Sequence, residues 1–328
     1  MSGYPDGARP TSTVSLGGGD AAGAGENVGW TSAAHARFAA ACASVPLRGE
    51  RTLGELSAEL VRAFGDPYDR AAVEAAAMEL ALAQNRVDLA TLARAPPRPV
   101  RYVVSFDARS LPVPRMREER RRSPTAEFKL DVDPRWSDGE LDRIAAEGGV
   151  AVLDFKGAGD AADHARFAAR FPSALLEDAL ARETGGCAAL RDRLSFDGPI
   201  VSAEALAAID PPPAAVNVKP ARMGGVLEAI AALAIAARHR SCAYFGGMFE
   251  VGVGRRQLCA LASVLCPDGP NDIAPLVPPE RPVRLDPRGA SGFSAPPLPE
   301  LTLSRPDDPR SAGLRSESAR GGDRREPP

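Results

Sequence analysis

Between residues 30 and 97 the apolar positions recur at helical spacing. Three stretches carry the pattern, WTSAAHARFAAACASV, TLGELSAELVRAF and YDRAAVEAAAMELALAQNRV, and the last gathers Val73, Ala76, Ala77, Leu80 and Leu82 on one face. Pro96, Pro97 and Pro99 close this region, since proline neither donates to a helix nor lets its predecessor stay helical. Beyond Pro99 the pattern changes to short apolar or β-branched runs: RYVVSFDA, EFKLDV, VAVLDFKG, ALLEDAL, LSFDGPI, AVNVKP, CAYFGGMF and a weak one at NDIAP. Their starts recur about every 20 to 30 residues, the repeat of successive βα units closing into a parallel barrel. An open doubly wound sheet is the competitor, but no Gly-rich phosphate loop follows the first run.

The flanks lack either period. Residues 1–28 are rich in Gly, Ala and Ser, and residues 278–328 in Pro, Arg, Asp and Gly, so both are expected to be disordered tails. This divides the chain into a tail at 1–28, a helical region at 29–100, a barrel at 101–277 and a second tail at 278–328. Between the first two strands, RSLPVPRMREERRRSP is short and charged for a barrel helix and is expected to form a solvated loop or a single turn.

Composition removes several functions. Forty basic and 43 acidic residues leave a formal charge of -3 over 328 residues, so no global attraction to nucleic acid or an anionic membrane is expected. The basic run Arg115–Arg122 is diluted by Glu118 and Glu119 and has no interleaved aromatics, which argues against nucleic-acid binding. The longest apolar stretch, VLEAIAALAIAARH, is interrupted by Glu228 and too short to span a bilayer, and the start reads as no signal peptide, so the expected location is the cytoplasm. Five cysteines without a C-x-x-C pair argue against a disulfide framework and a structural zinc site, and the three histidines lack ligand spacing.

The cations change the picture most. There are 37 arginines and only three lysines, Lys129, Lys156 and Lys219. Arginine keeps its proton in a protein, whereas a lysine amine can be tuned to release one. All three lysines fall at the C-terminal ends of predicted strands, where a parallel barrel collects its chemistry, together with Asp131, Asp154, Glu177 and Asp197. Charges set in runs of Val, Leu and Phe are costly to bury unless they meet a partner or a metal. Asp154, Glu177 and Asp197 end three consecutive strands and would offer hard oxygen ligands suited to Mg2+, although Asp178 beside Glu177 leaves that assignment open.

At VNVKPARMGG (216–225), FGGMFEVGVGR (245–255), LLED (175–178) and the strand-ending Asp154 the chain resembles the enolase superfamily. Within it the resemblance is to the muconate-lactonizing subgroup, most closely the o-succinylbenzoate synthase and N-acylamino acid racemase branch. AAVEAAAMELALAQNRVDLATL looks like the last helix of that family's capping domain. The resemblance covers about residues 70–276.

It implies a TIM-like (β/α) barrel of the enolase type with a reduced, mainly helical capping region. It also implies a lyase or isomerase that removes a proton α to the carboxylate of a small substrate, through an enediolate whose charge Mg2+ meets. By matching positions, Asp154, Glu177 and Asp197 would be the metal ligands and Lys219 the lysine on the far side of the substrate. Arg222, Gly246, Gly247, Met248 and Glu250 fall in the motifs that would border the substrate. Barrels of this kind often pair, which leaves a homo-oligomer open.

The pattern is broken twice. The family's second-strand K-x-K is Lys129-Leu130-Asp131 here, and its third-strand D-x-N is Asp154-Phe155-Lys156. Because strand residues two apart share a face, the amine lost at 131 is expected to reappear across the gap at 156. Lys156 would then be the acid/base group, oriented by Asp131, with Lys129 assisting and Lys219 opposite. The alternative is a plain Asp131–Lys156 salt bridge in a barrel that binds a ligand or partner without catalysis. In the capping region no clear early strands are expected.

Overall fold

The computed structural model describes residues 10–43, 45, 47, 49–108, 110–179 and 188–273. The tail expected at 278–328 lies outside the described residues, as does Cys187.

The N-terminal region corrects the expectation of a disordered tail at 1–28. Residues Ser12–Gly18 (β1) and Ala21–Asn27 (β2) form an antiparallel hairpin, with Ser12 opposite Asn27 and Gly18 opposite Ala21. Four helices follow: α1 (Ser32–Cys42), α2 (Leu53–Ala63), α3 (Pro67–Asn85) and α4 (Leu89–Ala93). Each starts on a side-chain cap: Thr31, Thr52 with Glu55 as a capping box, Asp66 ahead of Pro67, and Asp88.

The hairpin's composition has a packing reason. A Cβ added at Gly25 would fall within 3.0 Å of the carbonyl of Ala72 and the nitrogen of Ala76, and one at Gly23 would strike Ala76 and Leu80 backbone atoms. Strand β2 therefore lies directly on the backbone of the Ala-rich helix α3, an approach only glycine allows. A strand that packs by close backbone approach carries no run of large apolar residues, and composition alone reads it as disorder.

The barrel is a parallel sheet wound in sequence order. Its strands are β3 (Val103–Phe106), β4 (Glu127–Asp131), β5 (Val150–Asp154), β6 (Leu175–Glu177), β7 (Leu194–Phe196), β8 (Ala215–Val218) and β9 (Cys242–Phe245). The weak run at NDIAP supplies an eighth position reduced to two residues: Asn271 bridges to Tyr102 before β3, and Asp272 to Gly246 after β9. The fully buried side chain of Asn271 does the rest of the joining. Its Oδ1 accepts from Phe245 N (2.8 Å), and the two hydrogens of its Nδ2 are shared among the carbonyls of Arg101 (3.1 Å), Cys266 (2.8 Å) and Gly269 (2.9 Å).

Outside the sheet lie α5 (Val113–Arg122), α6 (Asp138–Glu147), α7 (Ala161–Arg170), α8 (Ala188–Arg191), α9 (Ala203–Ala207), α10 (Pro220–Met223), α11 (Val226–His239) and α12 (Val253–Leu265). Helix α5 corrects the expectation of a loop or single turn. Its buried Val113 and Met116 anchor it, and its arginines add cover: the Arg115 guanidinium lies 4.4 Å from the Phe106 ring centre and that of Arg120 5.4 Å from Phe128. No helix among the described residues is long and apolar enough to cross a membrane.

Two large apolar cores and two small ones result among the described residues. One large core fills the first half of the barrel around Phe128, Leu141, Ile144, Leu153, Phe167 and Leu176; the other joins α2 and α3 to the second half through Leu60, Met78, Leu82, Val216, Ala232 and Phe245. Two buried carboxylates fasten the same junction. Glu26 at the end of β2 accepts from Val251 N (3.0 Å), Gly252 N (2.9 Å) and Gly254 N (3.0 Å), at the start of α12. Glu74 on α3 accepts from Leu227 N (2.9 Å), at the start of α11, and from Ser57 Oγ. Each carboxylate satisfies N–H groups that a helix start leaves open, at its positive end.

Candidate metal centre

Because every barrel strand points the same way, their C-terminal ends form one rim. Asp131, Asp154 and Glu177 are direct partners on β4, β5 and β6, and Glu177 is paired in turn with Ser195 on β7. Asp197 follows two residues after Ser195 and therefore continues the same face. One carboxylate oxygen from each of Asp154, Glu177 and Asp197 lies within 4.8 Å of the other two, and all three residues are buried. Three carboxylates this close offer the hard oxygen donors that Mg2+ takes, so the donor set fits that ion in its chemistry.

Amines bound the cluster. The Lys129 ammonium, 2% exposed, contacts Glu177 Oε1 and lies 3.1 Å from Asp154 Oδ2 and 3.3 Å from Asp272 Oδ2. Lys219, two residues after Asn217 on β8, places Nζ 2.7 Å from Asp197 Oδ2. Arg222 on α10 clamps the same residue, with Nη2 2.8 Å from Oδ1 and Nη1 2.7 Å from the carbonyl. Lys156 Nζ sits 2.6 Å from Asp154 Oδ2 and 3.0 Å from Asp131 Oδ1, with its side chain 55% exposed at the rim.

Lys156 reaches Asp131 differently from the strand spacing used to predict it. Strand β5 ends at Asp154, and Lys156 lies in the turn beyond it in the left-handed conformation (φ 49°), with its N–H on Asp154 Oδ1 at 3.1 Å. That conformation costs a non-glycine residue about 1 kcal/mol, which the ion pairs offset.

Burial and charge pull these groups apart. Burial pushes the Glu177 carboxyl up to about 7 against the attraction of Lys129. Burial would raise Asp154 as well, but Lys129 and Lys156 overcome it and hold that carboxyl at about 2. Lys219, Lys129 and Arg222 likewise hold Asp197 below its ordinary value in spite of burial. Although burial opposes its charge, Lys129 is raised well above the ordinary lysine value by Glu177, Asp272 and Asp154.

The remaining motif residues serve one another. A Cβ on Gly246 would meet Asn217 Oδ1 and, at 2.5 Å, the Lys219 Cε, so its lack of a side chain gives that lysine its channel. Gly247 N donates to Asp272 O (2.9 Å), Met248 Sδ lies 3.8 Å from Arg222 Nη2, and the Glu250 carboxylate accepts from Met248 N (2.6 Å). The two neighbouring acids point in different directions. Glu177 turns inward, whereas Asp178 accepts from Asp197 N and Gly198 N, both at 2.8 Å, and so shapes the adjoining loop.

Four polar residues escaped the sequence reading. Asp272 takes a hydrogen bond from Ser105 Oγ (2.6 Å) besides facing Lys129. Tyr244 donates to Glu177 Oε2 and lies 2.7 Å from Ser195 Oγ, and Asn217 Nδ2 faces the same carboxylate at 3.4 Å. The available signal was a polar residue inside an apolar strand run: Asn217 in AVNVKP, Tyr244 in CAYFGGMF, Ser195 in LSFDGPI and Asp272 in NDIAP.

Comparison with solved structures places the barrel and its cap among enolase-type folds. A member of the enolase superfamily from Listeria innocua is similar with TM-score 0.62 and 20% identity, over 77% of this chain and 75% of that one. Dipeptide epimerase from Methylococcus capsulatus, complexed with Mg ion, gives TM-score 0.65 and 20% identity, over 80% of this chain and 83% of that one. Muconate lactonizing enzyme from Klebsiella pneumoniae gives TM-score 0.65 and 20% identity, over 81% and 82%. Among curated proteins nothing matches the chain. Two family descriptions do match: "Domain of unknown function (DUF8230) N-terminal domain" over residues 3–92 and "Domain of unknown function (DUF8230) C-terminal domain" over residues 96–277. With the second spanning more than half of the chain, the protein belongs to the DUF8230 family, and its fold is an enolase-type barrel with a mainly helical cap and a small N-terminal sheet.

Proposed function

We propose that this chain is a Mg2+-dependent lyase or isomerase that removes a proton α to the carboxylate of a small substrate. The observation that carries this reading is the buried trio of Asp154 and Glu177, at the ends of β5 and β6, and Asp197, just beyond β7, with lysines on both sides of it along the rim. Asp154, Glu177 and Asp197 would hold the ion, which supplies positive charge opposite the substrate carboxylate.

The chain's own residues supply the rest. Lys219, aligned along Gly246, would face one side of the substrate and Lys156 the other, where its exposure leaves the amine accessible. Asp131 orients Lys156 in place of the amine that the enolase-superfamily resemblance implies at this position, and Lys129 adds charge beside it. Two lysines flanking one α-carbon suit racemisation or epimerisation as well as dehydration of the kind that forms o-succinylbenzoate. The similarity to dipeptide epimerase and muconate lactonizing enzyme supports the broad class.

A second reading has its own observation: each of the three carboxylates already has a lysine partner, as a barrel that binds without catalysis would require. Incubation in deuterated buffer with Mg2+ and a panel of N-acyl amino acids, dipeptides and hydroxy-cyclohexene carboxylates separates the two. The catalytic reading expects α-proton exchange that stops in Lys156→Met and on removal of Mg2+. Ligand binding without exchange across the panel, or undiminished exchange in Lys156→Met, would overturn it.

A further inference from the structure

Tyr244, Ser195 and Glu177 are each fully buried, and the hydroxyl of Tyr244 lies between the other two. The direction of the protons follows from the donor inventory. Tyr244 gives its single O–H to the carboxylate, so the 2.7 Å contact with Ser195 must be made by the serine donating to the tyrosine oxygen. Ser195 is also the β7 partner of Glu177, so the two ends of this chain of hydrogen bonds are fixed to neighbouring strands while Tyr244 reaches across from β9. On its other oxygen Glu177 meets Lys129. Asn217 Nδ2 faces both oxygens more loosely, at 3.5 and 3.4 Å, and rotation of the group about its last torsion is blocked from both sides.

We propose that Tyr244 and Ser195 act as a positioning relay that sets the Glu177 carboxylate for a divalent cation, a role that rests on the reading of the acidic trio as a Mg2+ site. Neither hydroxyl touches the cation. Their contribution is to hold one ligand in a single orientation, which otherwise would be one of several open to a flexible glutamate. Hydrogen-bonded partners of this kind typically alter metal affinity by about 10- to 100-fold when removed.

The test is calorimetric titration of Mg2+ alone into the wild type, Tyr244→Phe, Ser195→Ala, Ser195→Thr and Glu177→Ala, with a thermal melt of each variant. Mg2+ affinity in Tyr244→Phe is expected to drop about 10- to 100-fold while the melt remains cooperative. Ser195→Ala should show a smaller loss in the same direction, because Tyr244 keeps its bond to Glu177, and Ser195→Thr should restore affinity. A residue that served packing alone would change the melting temperature and leave affinity untouched. Wild-type affinity in Tyr244→Phe overturns the relay, and if that variant fails to fold, wild-type affinity in Ser195→Ala overturns it instead. A wild type that binds no Mg2+, matching Glu177→Ala, overturns the metal site and the relay together.

Discussion

Replacing Gly25 with alanine adds one methyl group to a segment whose composition looks unstructured. In a disordered tail that change would leave stability alone or raise it slightly, because alanine restricts the unfolded chain. In the folded hairpin the new Cβ would stand within 3.0 Å of the Ala72 carbonyl and the Ala76 nitrogen, which are backbone atoms of α3 and cannot swing aside. Strand β2 would have to retreat by about 1.5 Å to regain ordinary contact, against a helix it touches along most of its length. Overpacking of this kind costs about 1 to 3 kcal/mol, and the gain of up to about 1 kcal/mol from removing glycine offsets part of it. We expect a net loss of about 1 to 2 kcal/mol.

Gly17 provides the internal control. It lies on the same hairpin, and a Cβ there meets nothing within 4 Å, so Gly17→Ala should change stability by less than about 0.5 kcal/mol. Urea denaturation followed by far-UV circular dichroism, with the midpoint and slope of each curve, measures both variants. Equal midpoints for Gly25→Ala, Gly17→Ala and wild type would refute the account of β2 packed on the α3 backbone.

Two further outcomes follow from other junctions. Burial raises the Glu74 carboxyl above its ordinary 4.5, so as pH climbs past that value the folded state holds a proton the unfolded state has released, and stability falls. Glu74→Gln removes this titration. The wild type's stability relative to the variant should therefore be greatest below pH 4.5 and decline above it, and parallel stability-against-pH curves would refute the assignment. Asn271→Ala deletes the acceptor and the two N–H donors, shared among three carbonyls, that join β9, Arg101 and the 266–269 loop. A loss of about 2 to 4 kcal/mol is expected in the same urea assay, since buried backbone groups are left without partners. A loss below about 0.5 kcal/mol would mean that the two-residue bridge closes the barrel without the side chain.

The sequence by itself determined the parts that follow from period and from chemical cost. Seven runs of Val, Leu and Phe at βα spacing are seven parallel strands, because only burial on both faces makes such runs favourable. The charged residues ending those runs had to converge, since an isolated charge at those depths is untenable, and Lys129, Asp154, Glu177, Asp197 and Lys219 do meet. Tertiary structure decided what depends on contact between distant segments. The β1–β2 hairpin is stable through backbone approach to α3, helix α5 because Arg115 and Arg120 cover Phe106 and Phe128, and the eighth barrel position because Asn271 replaces a strand's hydrogen bonds with its own side chain. Lys156 likewise arrives at Asp131 through a left-handed turn, a conformation that local pattern disfavours and that the two carboxylates around its amine sustain.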